Sequence, residues 1–240
     1  VIELLMQHGA EINKQSSDGS TALMDAAYWN HPAIVLRLLR AGADTSLRSE
    51  DGKSARQWAM EKGHAACVEA FRQHIAEVTK AGRREGSAGG GAGGASSGEA
   101  AAGAGAAASS SSSLGGVSEG VMLAAERGEE AALLAWLDGG GRVDATCERG
   151  DVSGLTLLMG AAFHGRERVV ELLLRHGADI NLQNSGGGTA LMSAAHHGHE
   201  RVVELLLQRG AEINLQSSVG RTALMHAAGE NHERVVELLI

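Results

Sequence analysis

Thr156, Thr189 and Thr222 stand 33 residues apart, and Ala162, Ala195 and Ala228 keep the same step. Residues 154–185 read GLTLLMGAAFHGRERVVELLLRHGADINLQNS, and residues 187–218 read GGTALMSAAHHGHERVVELLLQRGAEINLQSS. Residues 220–240 begin another copy, GRTALMHAAGENHERVVELLI. The unit recurs near the start as residues 19–49, GSTALMDAAYWNHPAIVLRLLRAGADTSLRS, with Thr21 and Ser54 again 33 apart. A period of this length specifies a solenoid, because one small unit cannot bury its apolar face alone and stacked neighbours can.

Each unit holds two helical patterns. Thr189 is placed to cap the first, its hydroxyl accepting from orphan backbone N–H groups. The Ala-Ala pair that follows lets neighbouring helices approach closely. In the second pattern Val202, Val203, Leu205, Leu206 and Leu207 make a wide apolar face. Gly210 stops that helix as a residue able to take a positive φ. A polar finger, residues 212–220, leads into the next unit. Hydrophobic residues make up 43% of the chain and aromatics 2%, so the core has to be built from Leu, Val, Ile, Ala and Met.

These motifs resemble the ankyrin repeat, whose signature runs G-x-T-P-L-H-x-A-A-x-x-G-H, then V-V-x-L-L-L, then G-A-D-x-N. The resemblance covers about four fifths of the chain and implies an all-α solenoid of helix–turn–helix–finger units. Two departures stand out. The family's Pro is Ala22, Ala190 and Ala223 here, and its His is Met24, Met192 and Met225. That histidine is similar to one that ties fingers together through the backbone, so its loss bears on finger rigidity and not on the fold.

The repeats fall into two arrays. Residues 1–81 are the C-terminal end of one. VIELLM at its head is a second helix without its first, and residues 51–80 form a capping repeat whose last helix is longer and more polar. Residues 82–117 are Gly, Ala and Ser with few charges, a composition that reads as a disordered, flexible tether of about 30–35 Å. Residues 118–240 are the second array, with an N-terminal repeat over 118–150 that places Trp136 on the buried helix. The step from Ala125 to Ala162 is 37, which puts a longer loop at residues 139–153. The tail VVELLI and the head VIELLM occupy the same phase of the repeat. A circular permutation would leave that helix duplicated, so the chain reads as a window cut from a longer protein. Packing of the two halves head to tail across their open ends is a related reading that the sequence leaves open.

Chemistry is sparse. A formal net charge of −8 argues against a nucleic-acid binder, which needs a basic footprint. No apolar run is long enough to span a membrane. Cys67 and Cys147 make neither a disulfide framework nor zinc spacing, which suits a reducing compartment, cytoplasmic or nuclear. Cys67 falls where the core wants a small residue, while Cys147 falls in the long loop. His199-Glu200 and His232-Glu233 begin like H-E-x-x-H, but Val203 and Val236 stand at the fifth position. His196, His197 and His199 cluster without a Cys or a spaced carboxylate pair. Glycines 186–188 follow no strand, so no phosphate cradle is expected. No cofactor and no catalytic residue is expected.

What varies while the frame holds is the pair after Ala-Ala: Tyr28-Trp29, Phe163-His164, His196-His197 and Gly229-Glu230. Finger residues vary too, among them Ser218, Val219 and Arg221. The resemblance places these positions on the concave surface and at the finger tips. Aromatics and Arg dominate interface energies. Tyr28 and Trp29 are therefore the expected anchors, with Phe163, His164, His196, His197, Glu230, Ser218, Val219 and Arg221 as further contacts, against packing on a neighbouring repeat as the plainer role. Asn13, Asn181 and Asn214 resemble the asparagine hydroxylation motif described for ankyrin proteins; a finger-turn Asn bonded to backbone is the simpler account. The expected function is a scaffold or adaptor binding a still unidentified protein partner. The rivals are a regulatory segment of a larger enzyme and a plain structural spacer.

Overall fold

A computed structural model describes residues 9–85 and 116–240. The expected head helix at residues 1–6 and most of the expected tether lie outside the described residues. The first array contains α1 (Ala22–Tyr28), α2 (Pro32–Arg40), α3 (Ala55–Glu61) and α4 (Ala65–Glu85). The second contains α5 (Glu119–Arg127), α6 (Glu130–Asp138), β1 (Thr146–Arg149), β2 (Val152–Thr156), α7 (Leu157–Phe163), α8 (Glu167–Arg175), α9 (Ala190–His196), α10 (Glu200–Gln208), α11 (Ala223–Gly229) and α12 (Glu233–Leu239). The helix pairs follow the repeat, and α4 is the long capping helix, running to Glu85.

The first helix of each unit starts where a hydroxyl can cap it. Thr21, Thr156, Thr189 and Thr222 accept from the backbone N–H three residues on, and Ser54 makes a full capping box with Gln57. Each cap is worth about 1 kcal/mol. The turn into the second helix needs a left-handed residue. Gly165 and Gly198 supply it at φ 65° and 70°, while Asn30 and Asn231, the residue type that best tolerates this region after glycine, take the same place at φ 63°.

One leucine per unit runs through the core: Leu173, Leu206, Leu239 and Leu38 are all fully buried, each contributing about 1.5–3 kcal/mol. Trp136 holds the equivalent place in the N-terminal repeat. There it is only half-buried, with the chain folded so tightly over it that a Cβ on Gly141 would lie 2.4 Å from the indole. The long loop is more ordered than expected. It contains an antiparallel hairpin that pairs Thr146 with Thr156 and Cys147 with Leu155.

The two arrays meet. Helix α11 packs on α1, and α12 packs on α2. The first helices therefore run α5–α7–α9–α11–α1–α3 through space, and the second helices run α6–α8–α10–α12–α2–α4. Head-to-tail packing, left open by the sequence, is what the structure shows.

Candidate functional site

Four hydrogen-bond ladders align the repeats, and each crosses the seam between the arrays. Backbone rungs join finger to finger: Ser185 N–H donates to Ser153 O, Ser218 to Gly186 O, Ser17 to Val219 O and Glu50 to Asp18 O. Carboxamide or carboxylate oxygens make the second ladder: Asp144 accepts from Asp179 N–H, Asn181 from Glu212, Asn214 from Glu11 and Asn13 from Asp44, at 2.7–2.9 Å. Gln183, Gln216 and Gln15 each bridge their own finger and the next through Nε2. His199, His232, His31 and His64 each meet a carbonyl of the preceding unit, at Phe163, His196, Gly229 and Ala27. The Gln and Asn rungs do the tying expected of the missing histidine. They also give Asn13, Asn181 and Asn214 the backbone-bonding role. The rungs Ser17–Val219, Glu11–Asn214, Gln216–Gln15 and His31–Gly229 join residues about 200 apart in sequence with the same geometry as the others.

Ladders of this kind hold the variable side chains in a row. Tyr28 is half-buried, with Trp29 at 5.1 Å and Trp58 at 5.3 Å, both edge-on. Trp29 is 58% exposed. A cleft of about 330 Å³ opens beside these rings, walled also by Asp18, Asp25, Glu50 and Asp51. Lys62 lies over the Tyr28 ring at 4.3 Å and Lys53 over Trp58 at 4.2 Å, so the rings already attract ammonium groups.

A second patch runs along α7, α9 and α11, the first helices of the three units before α1. Phe163, 46% exposed, contacts His197 with ring centres 3.9 Å apart and His164 at 4.9 Å. His196 follows at 4.7 Å from His197, and His226 at 5.5 Å from His196. A cleft of about 200 Å³ joins Phe163 and His164 to Met122, Glu126, Gly160 and Ser193. Glu230 is exposed and reaches His196 Nδ1 at 3.8 Å. Ser218 and Val219 are exposed on a finger. Among the described residues no three His, Cys, Asp or Glu side chains group to hold a metal ion.

Arg221 points elsewhere than a free contact would. Its Nη2 donates to Asp25 Oδ2 at 2.9 Å and to Met225 O at 3.3 Å, pinning α11 to α1. Burial pushes the Asp25 carboxyl up to about 6 against the pull of Arg221. Burial, together with Arg221 and His196, pushes His226 down to about 4. Burial also lowers His196, with Glu230 opposing it. The thiols are quiet: burial raises Cys67, which is fully enclosed in the core, to about 11, and burial raises Cys147 as well.

Three groove residues fall outside the sequence expectation: Asp25, Trp58 and His226. All stand at one position, the x of Leu-Met-x-Ala-Ala and of its counterpart in the capping repeat. Gly160 and Ser193 occupy it elsewhere. It varies as freely as the pair after Ala-Ala, and that variation is the signal that could have found it.

A family model described as ankyrin repeats in three copies matches residues 1–82, 121–217 and 183–240. The chain belongs to the ankyrin-repeat family. Ankyrin arrays are in general protein-interaction modules, and the fold is non-catalytic. Similar curated proteins include the ankyrin repeat and SAM domain-containing protein 6 of Rattus norvegicus, 45% identical over 56 residues, which is 23% of this chain and 6% of that protein. The inactive serine/threonine-protein kinase TEX14 of Bos taurus is 35% identical over 63 residues, 26% of this chain and 4% of that protein. The serine/threonine-protein kinase TNNI3K of Mus musculus is 40% identical over 74 residues, 27% of this chain and 9% of that protein. The ankyrin chain thus spans less than a tenth of the length of these relatives. No described helix is long and apolar enough to cross a membrane.

Proposed function

We propose that the chain is a protein-binding scaffold whose groove takes a segment of a partner protein. The observation that carries this reading is Trp29, a large aromatic left 58% exposed against Tyr28 at the edge of an acidic cleft. Aromatic anchors in such settings dominate interface energies. Asp18, Glu50 and Asp51 around the cleft favour a partner segment that offers a basic side chain beside an apolar one. Phe163, His164, His196, His197 and Glu230 supply a second contact region, with Ser218 and Val219 at the finger tips. Arg221 serves the groove by holding Asp25.

The test is selection from a displayed peptide library against the full chain and against the Tyr28→Ala, Trp29→Ala double variant. Binders rich in Arg or Lys with an apolar neighbour are expected, and the double variant should weaken them at least about tenfold with unchanged far-ultraviolet circular dichroism. Binders that hold the variant as tightly overturn the anchor assignment. Failure to select any binder favours a structural spacer.

A second reading is a regulatory ankyrin segment of a larger enzyme. Similarity to two proteins named as kinases, one of them inactive, favours it. The free thiols of Cys67 and Cys147 support a cytoplasmic or nuclear setting.

A further inference from the structure

Two departures from the repeat meet at the cleft beside Phe163. The first is Gly160 in α7. Its place in other units holds Leu123, Asp25, Trp58, Ser193 or His226, and here no side chain projects. The second is the β1–β2 hairpin, a feature of this unit alone among those described, whose Arg149 and Leu155 join the wall. Together they open the cleft of about 200 Å³ over Met122 and Met159, two side chains otherwise enclosed in the core. A Cβ on Gly160 would lie 2.8 Å from Met122 Sδ and 3.5 Å from Glu126 Cγ, so any side chain there would press on the floor. Glu126 closes one side, with its side chain only 11% exposed. Its Oε1 accepts from Arg149 Nη1 at 2.7 Å. Its Oε2 has His164 Nε2 at 3.8 Å, beyond hydrogen-bond reach, and no other described donor bonds it. A carboxylate oxygen so withdrawn from water and short of a donor gains from a donor brought to it.

We propose that this cleft takes one aromatic side chain of the partner protein, a ring that carries a hydrogen-bond donor, tryptophan above all. The volume is below the roughly 300 Å³ at which small-molecule pockets begin, and it suits a single side chain. Thioether sulfur attracts aromatic rings, and Met122 and Met159 offer two such atoms. Phe163, 46% exposed at the mouth, offers a ring to pair with. An aliphatic side chain would use these walls but leave Glu126 Oε2 unbonded. A lysine or arginine would satisfy that oxygen but press its own charge against apolar walls. Tryptophan has an apolar body and an N–H that only donates, which answers a carboxylate that only accepts. The source of the ring rests on the scaffold reading, whose second contact region thereby gains a stated ligand. The cleft at Trp29 takes no part in it.

Nuclear magnetic resonance of the full chain, labelled at its methionine methyl groups, tests this by titration with N-acetyltryptophanamide and with its indole N-methyl derivative. The Met122 and Met159 signals should move, while those of Met24 in α1 and Met225 in α11 should stay. The N-methyl derivative keeps the ring and loses the donor, so it should bind at least about fivefold more weakly. Gly160→Ala should weaken the tryptophan ligand by at least about the same factor. Still signals at Met122 and Met159, equal affinity of the two ligands, or unaltered binding by Gly160→Ala overturns the proposal. Should Gly160→Ala disturb the array, the two ligands on the unaltered chain still decide. The Tyr28→Ala, Trp29→Ala double variant should give the same titration as the unaltered chain. Failure of the Trp29 anchor and failure of this cleft are therefore read separately.

Discussion

Asp25 and His226 lie on the packed helices α1 and α11, beside one guanidinium, and burial moves their titrations in opposite directions. The Asp25 carboxyl goes from 3.8 to about 6, through burial first and Asp18 second, with Arg221 opposing. The His226 imidazole goes from 6.5 to about 4, through burial, then Arg221 and His196. At 1.36 kcal/mol per pH unit each displacement is worth about 3 kcal/mol. The signs are opposite. Asp25 binds its proton more tightly folded than unfolded, so its contribution is present below pH 3.8 and lost as pH rises through about 6. His226 is held neutral by the fold, so its contribution is present above pH 6.5 and lost as pH falls through about 4. In the wild-type chain the two slopes oppose each other across one window, and single substitutions separate them. Relative to wild type, Asp25→Asn should gain about 3 kcal/mol as pH rises from about 3.5 to about 7. His226→Gln should gain a similar amount as pH falls across the same range. Loss of the Arg221 pair adds an offset to Asp25→Asn but no slope in that window. Urea unfolding followed by far-ultraviolet circular dichroism gives both differences. A difference from wild type that stays flat with pH, or one with the opposite slope, refutes the reasoning.

Two further substitutions probe the repeat frame. Thr189→Ala removes the hydroxyl that accepts from Met192 N–H at 3.2 Å and should cost about 1 kcal/mol in thermal or urea unfolding. Gly198→Ala meets two obstacles: φ is +70°, and the new Cβ would sit 2.4 Å from His232 Nδ1. The ring must leave His196 O, so a loss of about 2–4 kcal/mol is expected, read in the same unfolding experiment.

The repeat was legible because it obeys local rules. A Thr or Ser before Ala-Leu-Met, a paired alanine and a Val-Val-x-Leu-Leu-Leu run set caps, close approaches and core within each unit of this chain. Cys67 fell into the core for the same reason. The hairpin at Thr146–Thr156 was readable only as a longer loop. Its Gly150-Asp151 turn, with Gly150 at φ 58°, is a two-residue hairpin signal that the strong helical period masked. Trp136 was placed on a buried helix of an N-terminal repeat, but that repeat has no described unit before it, and the ring stays half-buried. Meeting of the arrays was compatible with the sequence and not dictated by it. A rung such as Asn214 to Glu11 needs only the next finger, and the local pattern does not say which finger that is. The bond from Arg221 to Asp25 was hidden for the same reason: it exists only where α1 is set beside α11.

The order of units in space departs from their order in the chain at the seam, and this imposes a sequence of events on folding. Within an array a rung such as His232 to His196 closes a loop of 36 residues, whereas the Arg221–Asp25 pair closes one of 196. The longer closure costs about 1.5 kcal/mol more in chain entropy, by the logarithmic growth of that cost with length. Each array has its own short-range contacts to assemble on, and contacts of that kind form fast. The seam comes last, because the apolar faces of α11 and α12 and of α1 and α2 meet across it only once each array has formed them. The middle of the groove, where Asp25, Trp29, Arg221 and Gly229 meet, therefore matures after the two flanks are in place.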